Sequence, residues 1–265
     1  MRATILCFHS GNAGDYKVLP EALDTILAAG LAVPPLITLA SHLANGTQHE
    51  LPERACCLTF DDGMDMDFVD VDHPVHGPQP SFASIMRAAE ARHGGVRRLH
   101  ATSFVIASPV ARALIQERDM LGYPWMSDRW WNPAVASGHF HIANHSWDHL
   151  LPALDIVRQR EQVRGDFTSV DNHEDADWQV RRARDLIELI CPNPGAALFA
   201  YPFGHTNEYL LGEYFPRHGD EHRTLAAVTC EPAPVTAGTS RWELPRYIFG
   251  VDWKDTADLA AILRD

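Results

Sequence analysis

Short apolar runs alternate with stretches of helical character along this chain, and that alternation limits its fold more than any other feature. The runs are nearly continuous, whereas a strand with one face in water alternates apolar and polar residues. Continuous runs indicate strands that are covered on both faces, as in a parallel sheet. The eight predicted strands are Ala3–Phe8, Leu36–Ala40, Ala55–Phe60, Thr102–Ala107, His139–Asn144, Ala197–Tyr201, Leu225–Thr229 and Glu243–Phe249.

Four segments between these runs have the composition and spacing of helices, and Ser81 and Asp175 are placed to cap two of them. Strands alternating with helices are typical of a parallel α/β fold, and about eight strands in this length suit a (β/α) barrel, complete or incomplete. No internal repeat or linker is visible, so we expect residues 1–265 to form a single domain. The predicted helices are Pro20–Ala29, Ser81–His93, Pro109–Arg118 and Asp175–Ile190.

Charge and hydropathy argue against several classes of protein. The formal net charge of −13 argues against a nucleic-acid partner, because phosphate binding needs a basic face. No segment reaches the roughly 18 consecutive apolar residues that a membrane helix needs. The apolar run Ile5–Phe8 is too short for the core of a signal peptide. We therefore expect a cytoplasmic protein without membrane insertion.

Chemically reactive side chains follow directly after the predicted strands. His9 follows the first strand, Asp61 and Asp62 follow the third, and His145 and His149 follow the fifth. The carboxyl ends of parallel strands lie on one rim of a barrel, where active sites are built. We therefore expect these side chains to converge. Three long polar segments, which are usually functional when ordered, are Met64–Pro80, Leu121–Ser137 and His149–Glu174.

Histidine pairs spaced His-x-x-x-His are weak signals in a chain with 15 histidines, because chance alone gives about one such pair. His218 and His222 lie in a charged stretch, and we interpret them as solvated. The pair His145 and His149 differs because it stands just past a strand end, as does the aspartate pair. Two imidazoles and one carboxylate form a metal site with open positions, which leaves the second carboxylate free to act as a base.

At these residues the sequence resembles the polysaccharide deacetylases, the NodB-homology or carbohydrate esterase family 4 group. The segment Thr59–Gly63 matches the family motif T-F-D-D-G, and His145–His149 matches H-[ST]-x-x-H. Tyr201–Gly204 resembles the core of the third motif, R-x-P-[FY]-G. The order and spacing of the motifs also fit, and the first two together are specific.

The resemblance implies a distorted (β/α) barrel with one divalent metal ion. Asp61 would be the general base, and Asp62, His145 and His149 the metal ligands. Zn²⁺ is the expected ion, and Co²⁺, Ni²⁺ and Fe²⁺ also suit two histidines and one aspartate. Such an ion polarises the amide carbonyl and lowers the pKa of its bound water to about 7. In the family a backbone N–H of the third motif, here that of Phe203, also holds the oxyanion.

Two departures from the family pattern concern catalytic residues. The arginine that opens the third motif, and orients the catalytic aspartate in the family, is Ala200 here. Arg246 is a candidate substitute, with a surface salt bridge as the alternative interpretation. The late L-x-H motif, which supplies the acid histidine in the family, is absent. His9 is the first candidate for the acid and His205 the second, although His9 also fits a hydrogen-bonded buried histidine.

Tryptophans in and near the long loops are candidates for a sugar platform, because indole rings pack well on the apolar faces of sugars. The alternative is a hydrophobic mini-core under the loop that contains Trp125, Trp130 and Trp131. The candidate substrate-binding residues are Trp131, Trp147, Tyr201, Pro202 and Phe203.

The sequence therefore predicts a metal-dependent hydrolase that removes an N-acyl group, acetyl in the first instance, from an amino sugar. A nucleotide-linked, lipid-linked or small soluble amino sugar would suit an intracellular enzyme. One alternative is hydrolysis of a small non-sugar amide or imide at the same metal site. The other is a carbohydrate-binding relative without catalytic activity. A panel of sugar and non-sugar amides distinguishes the first two, and binding without turnover would indicate the third.

Overall fold

The computed structural model describes residues 1–95, 99–160 and 162–264. Seven of its strands form one parallel sheet, and an eighth pairs antiparallel with the first strand. Two further short strands form a separate hairpin. The strands are β1 (Arg2–Phe8), β2 (Arg54–Phe60), β3 (Val71–His73), β4 (Gly77–Gln79), β5 (Ala101–Val105), β6 (Phe140–Asn144), β7 (Leu198–Ala200), β8 (Ala226–Val228), β9 (Val235–Thr236) and β10 (Tyr247–Ile248).

The parallel sheet has the strand order β10-β1-β2-β5-β6-β7-β8 and curls into a distorted barrel, as the sequence predicts. Helices connect the strands and cover the outside of the sheet. They are α1 (Ala13–Ala28), α2 (Leu36–Asn45), α3 (Phe82–Arg92), α4 (Pro109–Asp119), α5 (Trp131–Ser137), α6 (Asp155–Gln159), α7 (His173–Ala176), α8 (Arg182–Ile190), α9 (Phe215–Arg217), α10 (Gly219–His222) and α11 (Thr256–Arg264).

Alternate residues of the central strands face the inside of the curl. Ala3 and Ile5 of β1 lie in one buried cluster with Ala55 and Cys57 of β2. Their neighbours, such as Leu6, belong instead to the cluster that contains apolar residues of α1, α3 and α11. Because both faces are covered, these strands have no polar face, which explains their continuous apolar runs.

The predicted strand Leu36–Ala40 is wrong, because these residues begin helix α2. Leu36, Leu39 and Ala40 are buried at the spacing of a helix face, in the cluster that fills the inside of the curl. A short apolar run does not distinguish a strand from a buried helix by periodicity alone. Helix α2 ends at Asn45 and is followed by Gly46 in the left-handed conformation.

The predicted strand Glu243–Phe249 is reduced to the two residues of β10, and this segment joins the two edges of the sheet. Leu244 forms an isolated parallel bridge with Val228 of β8, whereas Tyr247 and Ile248 pair with β1. Pro245 lacks the N–H that a continuous strand would need. Arg246 lies between the two pairings and is fully buried.

The predicted helix Asp175–Ile190 is confirmed with a different start. Helix α7 continues through a π-helical segment, Asp177–Arg181, into α8. Its N-cap is Asn172, whose side chain accepts a hydrogen bond from the Asp175 N–H. Asp175 is therefore not the cap, whereas Ser81 caps α3 as predicted. Among the described residues, no helix has the length and apolar character to cross a membrane.

Candidate active site

Asp61 continues the inward-facing column of β2, two residues beyond Thr59. Its carboxylate is buried and accepts two hydrogen bonds from Arg246, at 2.7 Å from Nη1 and 2.8 Å from Nη2. Burial alone would raise the pKa of Asp61, but the Arg246 guanidinium and the nearby His145 hold it well below its usual value. The carboxylate is therefore held ionised, in a fixed orientation.

Arg246 reaches Asp61 because its segment joins the two edges of the sheet. The guanidinium also donates to the Thr229 carbonyl oxygen at 2.9 Å and lies 3.2 Å from the Thr59 hydroxyl oxygen. A surface salt bridge is excluded, because the Arg246 side chain has no exposed area. The structure thus brings the sequence-predicted partner to Asp61 from a different strand end than the third motif.

Asp62, His145 and His149 lie together at the same rim. One donor atom from each lies within 4.8 Å of the donor atoms of the other two. The His145 Nδ1 atom lies 2.9 Å from the Ala200 carbonyl oxygen. A carbonyl oxygen only accepts, so Nδ1 carries the proton and the Nε2 lone pair is available to the site.

Two further features fit this triad to a divalent cation. His145 Nε2 lies 3.9 Å from Asp62 Oδ1, and the His145 and His149 rings are 4.7 Å apart. Burial, with a contribution from His145, lowers the pKa of His149 to about 4. His149 is therefore neutral near pH 7, which is the form that binds a metal.

The backbone at this rim adopts unusual conformations. Asp62, His149 and Phe203 have φ values of 73°, 57° and 59°, in the left-handed region that non-glycine residues rarely occupy. Such strain is concentrated at functional sites, where the surrounding structure maintains it. Gly63 has φ of 74°, and a Cβ atom there would lie 2.5 Å from Val105. The glycine of the first motif is thus required by both conformation and space.

His9 lies at the same rim, half-buried, and its backbone N–H donates to Asp15 Oδ2 at 2.8 Å. A ring nitrogen of His9 lies within 4.8 Å of donor atoms of Cys7 and Asp61. His205, the second candidate acid, has its Nδ1 atom 3.4 Å from Asp166. The structure therefore places His9 beside Asp61. The sequence alone could not establish this proximity.

The candidate substrate-binding residues are only partly at the rim. Trp131 is wholly buried beneath Arg112, so its prediction as a sugar platform is wrong. Tyr201 and Pro202 are also buried, and the Tyr201 hydroxyl donates to the Trp242 carbonyl oxygen. These two side chains are not available to a substrate. The position of a residue in a loop or after a strand, as read from the sequence, does not show whether its side chain is buried.

Phe203 and Trp147 retain some exposure. The Phe203 ring is 49% exposed and its centroid lies 4.5 Å from that of His149, beside the triad. Trp147 is half-buried, packs against the main core and lies 3.9 Å from the Arg182 guanidinium carbon. Of the two, Phe203 has the contact with the triad.

A cavity of about 520 Å³ opens beside His9 and Asp62, and sequence reasoning did not identify it. Two of the long segments that the sequence marked as functional contribute to its walls, together with residues after β1 and at the end of α4. The segment after β2 contributes Met64 and, in the β3–β4 hairpin, His73. The other contributes Trp125, whose ring stacks on His73 at 5.1 Å. Loop length was the signal that could have located these walls.

A second histidine cluster, separate from the triad, lies at the surface near α7 and α10. Donor atoms of His173, His218 and Glu221 lie within 4.8 Å of one another. His222, predicted to be solvated, is instead buried, with its ring 5.0 Å from that of Tyr214. His222 is the last residue of α10, and its Nε2 atom lies 3.2 Å from the Phe215 carbonyl oxygen.

Comparison with known proteins gives one family. The family model described as polysaccharide deacetylase matches residues 48–214. Among solved structures, IcaB from Ammonifex degensii has a TM-score of 0.61 at 18% identity, covering 100% of this chain and 97% of that one. No curated protein sequence matches the chain significantly.

Two further solved structures share the fold. A polysaccharide deacetylase from Bacillus cereus has a TM-score of 0.63 at 14% identity, covering 99% of this chain and 69% of that one. The deacetylase PplD from Streptococcus pyogenes, solved in complex with acetate, has a TM-score of 0.57 at 18% identity, covering 94% and 92%. At these identities the likeness concerns the fold.

Proposed function

The chain belongs to the polysaccharide deacetylase family, and on that premise we propose that it is a metal-dependent hydrolase removing an N-acyl group, acetyl in the first instance, from an amino sugar. The observation that carries the proposal is the position of the buried Asp61–Arg246 pair directly beside the Asp62, His145 and His149 triad. A base and a metal site at one rim are the two groups that amide hydrolysis by water requires.

Asp62, His145 and His149 would hold the ion. Zn²⁺ suits two imidazoles and one carboxylate, and Co²⁺, Ni²⁺ or Fe²⁺ are the alternatives. When bound, such an ion polarises the amide carbonyl and lowers the pKa of water. The Ala200 carbonyl oxygen keeps the His145 ring in the orientation that this requires.

The remaining steps fall to the chain's own residues. Asp61 accepts the proton of the attacking water, and Arg246 holds the carboxylate in place for that transfer. The Phe203 N–H donates to the oxyanion that forms on the acyl carbon. His9 donates a proton to the leaving nitrogen, since it lies outside the metal triad and has a ring nitrogen within 4.8 Å of an Asp61 oxygen. The products are a carboxylic acid and a free amine.

Release of acetate from N-acetylglucosamine oligomers, with Zn²⁺ or Co²⁺ supplied, tests this function. We expect turnover by the wild type and a loss of about 10²-fold or more in Asp61→Asn, because the base is removed. The matched control is Asp220→Asn, an exposed aspartate in α10. Sugar binding without turnover, undiminished in Asp61→Asn, would instead indicate a binding protein.

Hydrolysis of a small non-sugar amide at the same site is a second candidate function. The cavity beside His9 and Asp62 favours it, because much of its wall is apolar. A sugar polymer would need an open groove that follows the chain of sugar rings. The two candidates share one catalytic apparatus and differ only in what the cavity holds.

A further inference from the structure

The cavity beside the triad has an apolar wall made mainly of flexible side chains. Met64, Met66 and Met120 line it together with Ile115, Leu121 and Trp125. Methionine thioethers adapt to the shape of apolar groups and contact aromatic rings favourably. Because His9 and Asp62 line the same cavity, a group bound there lies next to the scissile amide.

The charges around the cavity disfavour an anionic occupant. Asp62 and Asp119 line it, and no lysine or arginine does so among the residues that the structure describes. Asp119 is also the last residue of α4, and the C-terminal end of a helix carries partial negative charge. Asp62 would be neutralised by the ion it binds, so the negative potential comes from Asp119 and the end of α4, and a phosphate or carboxylate group would meet it there. A diphosphate-linked sugar, considered from the sequence, fits this surface poorly.

The size of the cavity sets a second limit. A volume of about 520 Å³ falls within the range that holds one compact ligand group. The aromatic part of the wall is ordered by stacking, with Trp125 between ring contacts to His73 at 5.1 Å and Tyr123 at 4.6 Å. Pockets of this size bind one small ligand, and these loops form the aromatic side of this one.

We propose that the substrate carries, beside the scissile amide, one compact apolar group without phosphate or carboxylate, and that this group occupies the cavity between His9 and Trp125. The inference rests on the proposed hydrolase function and specifies its substrate class. The reaction is balanced by water alone: the C–N bond breaks, hydroxyl adds to the acyl carbon and a proton adds to the nitrogen. The apolar group belongs either to the amine part or to the acyl part of the substrate.

A matched substrate series tests this class and distinguishes the two parts. The amine-side probes are the methyl, hexyl and phenyl glycosides of N-acetylglucosamine, its 1-phosphate and its pentamer. The acyl-side probe is N-hexanoylglucosamine, and acetanilide is the non-sugar amide. We expect kcat/KM to rise about tenfold or more from the methyl to the hexyl or phenyl glycoside, or from acetyl to hexanoyl, because apolar area is buried. We expect the 1-phosphate to be the poorest substrate.

The inference is overturned, with the hydrolase function intact, if neither the hexyl or phenyl aglycone nor the hexanoyl group raises kcat/KM. It is also overturned if the 1-phosphate or the pentamer is used as well as the best apolar probe. If no probe is hydrolysed, the proposed function fails, and calorimetric binding to the wild type decides the inference separately. Tighter binding by about tenfold then supports the apolar cavity, either of the hexyl or phenyl glycoside relative to the methyl glycoside, or of N-hexanoylglucosamine relative to N-acetylglucosamine. Equal affinities would contradict it.

A pair of exposed leucines provides the matched variants. Leu121 lines the cavity and is 70% exposed, whereas Leu189 in α8 is 79% exposed and does not line it. Neither substitution by lysine removes a buried side chain, so both variants should fold. We expect Leu121→Lys to reduce the preference for apolar over methyl substrates to about threefold or less and to improve use of the 1-phosphate. Leu189→Lys should retain the wild-type pattern, and equal behaviour of the two variants would contradict the assignment.

Discussion

At the scale of single residues, Asp61 and Arg246 form a buried ion pair. Their side chains are 5% and 0% exposed, so both charges are largely removed from bulk water. Two parallel hydrogen bonds keep the carboxylate in the plane of the guanidinium. A buried pair of this kind depends on both members, because either one alone would be an uncompensated buried charge.

Removing the cation should therefore destabilise the protein strongly. We expect Arg246→Met to lower the free energy of unfolding by about 3–5 kcal/mol in metal-free protein, as measured by urea unfolding at neutral pH. The double variant Asp61→Leu/Arg246→Met should recover most of that loss, because no charge is then left buried. A loss below about 1 kcal/mol in Arg246→Met would mean that the pair is not formed in solution.

Asp67 is another buried carboxyl group. The stability that it contributes depends on pH in the opposite direction to that of an aspartate paired with a cation. The hydroxyls of Ser10 and Ser103 donate hydrogen bonds to it, and burial raises its pKa to about 7. The folded state therefore keeps a proton that the unfolded chain releases near pH 4. Asp67 thus contributes stability at low pH, and this contribution is lost as the pH rises toward about 7.

Asp67→Asn tests this dependence, because asparagine keeps an acceptor oxygen but does not ionise. Between about pH 4 and pH 7, we expect the free energy of unfolding of the wild type to fall relative to that of the variant. The measurement is urea unfolding of metal-free protein at several pH values, with Asp220→Asn as the exposed control. A difference between wild type and Asp67→Asn that is independent of pH would contradict the assignment.

The sequence identified the residues at the rim better than it identified those around the substrate. Asp61 and His145 could be placed because motifs and strand ends coincide there. Arg246 could be proposed only as a candidate, since its position depends on a segment that crosses the sheet edges. Trp131 and Trp125 occupy one segment, yet Trp131 is buried in the core and Trp125 lines the cavity. Their difference arises from tertiary packing, which single-sequence patterns do not contain.

At the scale of elements, continuous apolar runs predicted the strands well because both faces of the sheet are covered. β1 and β2 lie within one residue of their predicted starts and end at the predicted residues. Helix α2 was missed because its apolar face is buried inside the curl, and a short apolar run looks the same in either conformation. Arg246 could not be placed from a strand pattern, because Pro245 interrupts the strand.

Helix α2 should contribute to stability as part of the core. We expect Leu39→Ala to lower the free energy of unfolding by about 2–5 kcal/mol, because the Leu39 side chain is only 1% exposed. The matched control is Leu189→Ala, an exposed leucine in α8, for which we expect a change within about 0.5 kcal/mol. Urea unfolding measures both. Similar changes in the two variants would show that α2 does not pack inside the sheet.

At the scale of the whole molecule, the two ends of the chain meet in one sheet. β1 near the N-terminus pairs with β2 on one side and with β10 on the other. The site depends on this closure, because β2 supplies Asp61 while the segment before β10 supplies Arg246. We therefore expect residues 1–265 to act as a single catalytic domain.

The central claim is a metal site at Asp62, His145 and His149, and elemental analysis of metal content tests it most directly. After gentle removal of loosely bound metal and reconstitution, we expect about one divalent ion per wild-type chain. Asp62→Ala and His149→Ala should lose this ion, whereas His173→Ala, in the surface histidine cluster, should retain it. Absence of a tightly held ion in the wild type, or loss of the ion in His173→Ala alone, would contradict the account.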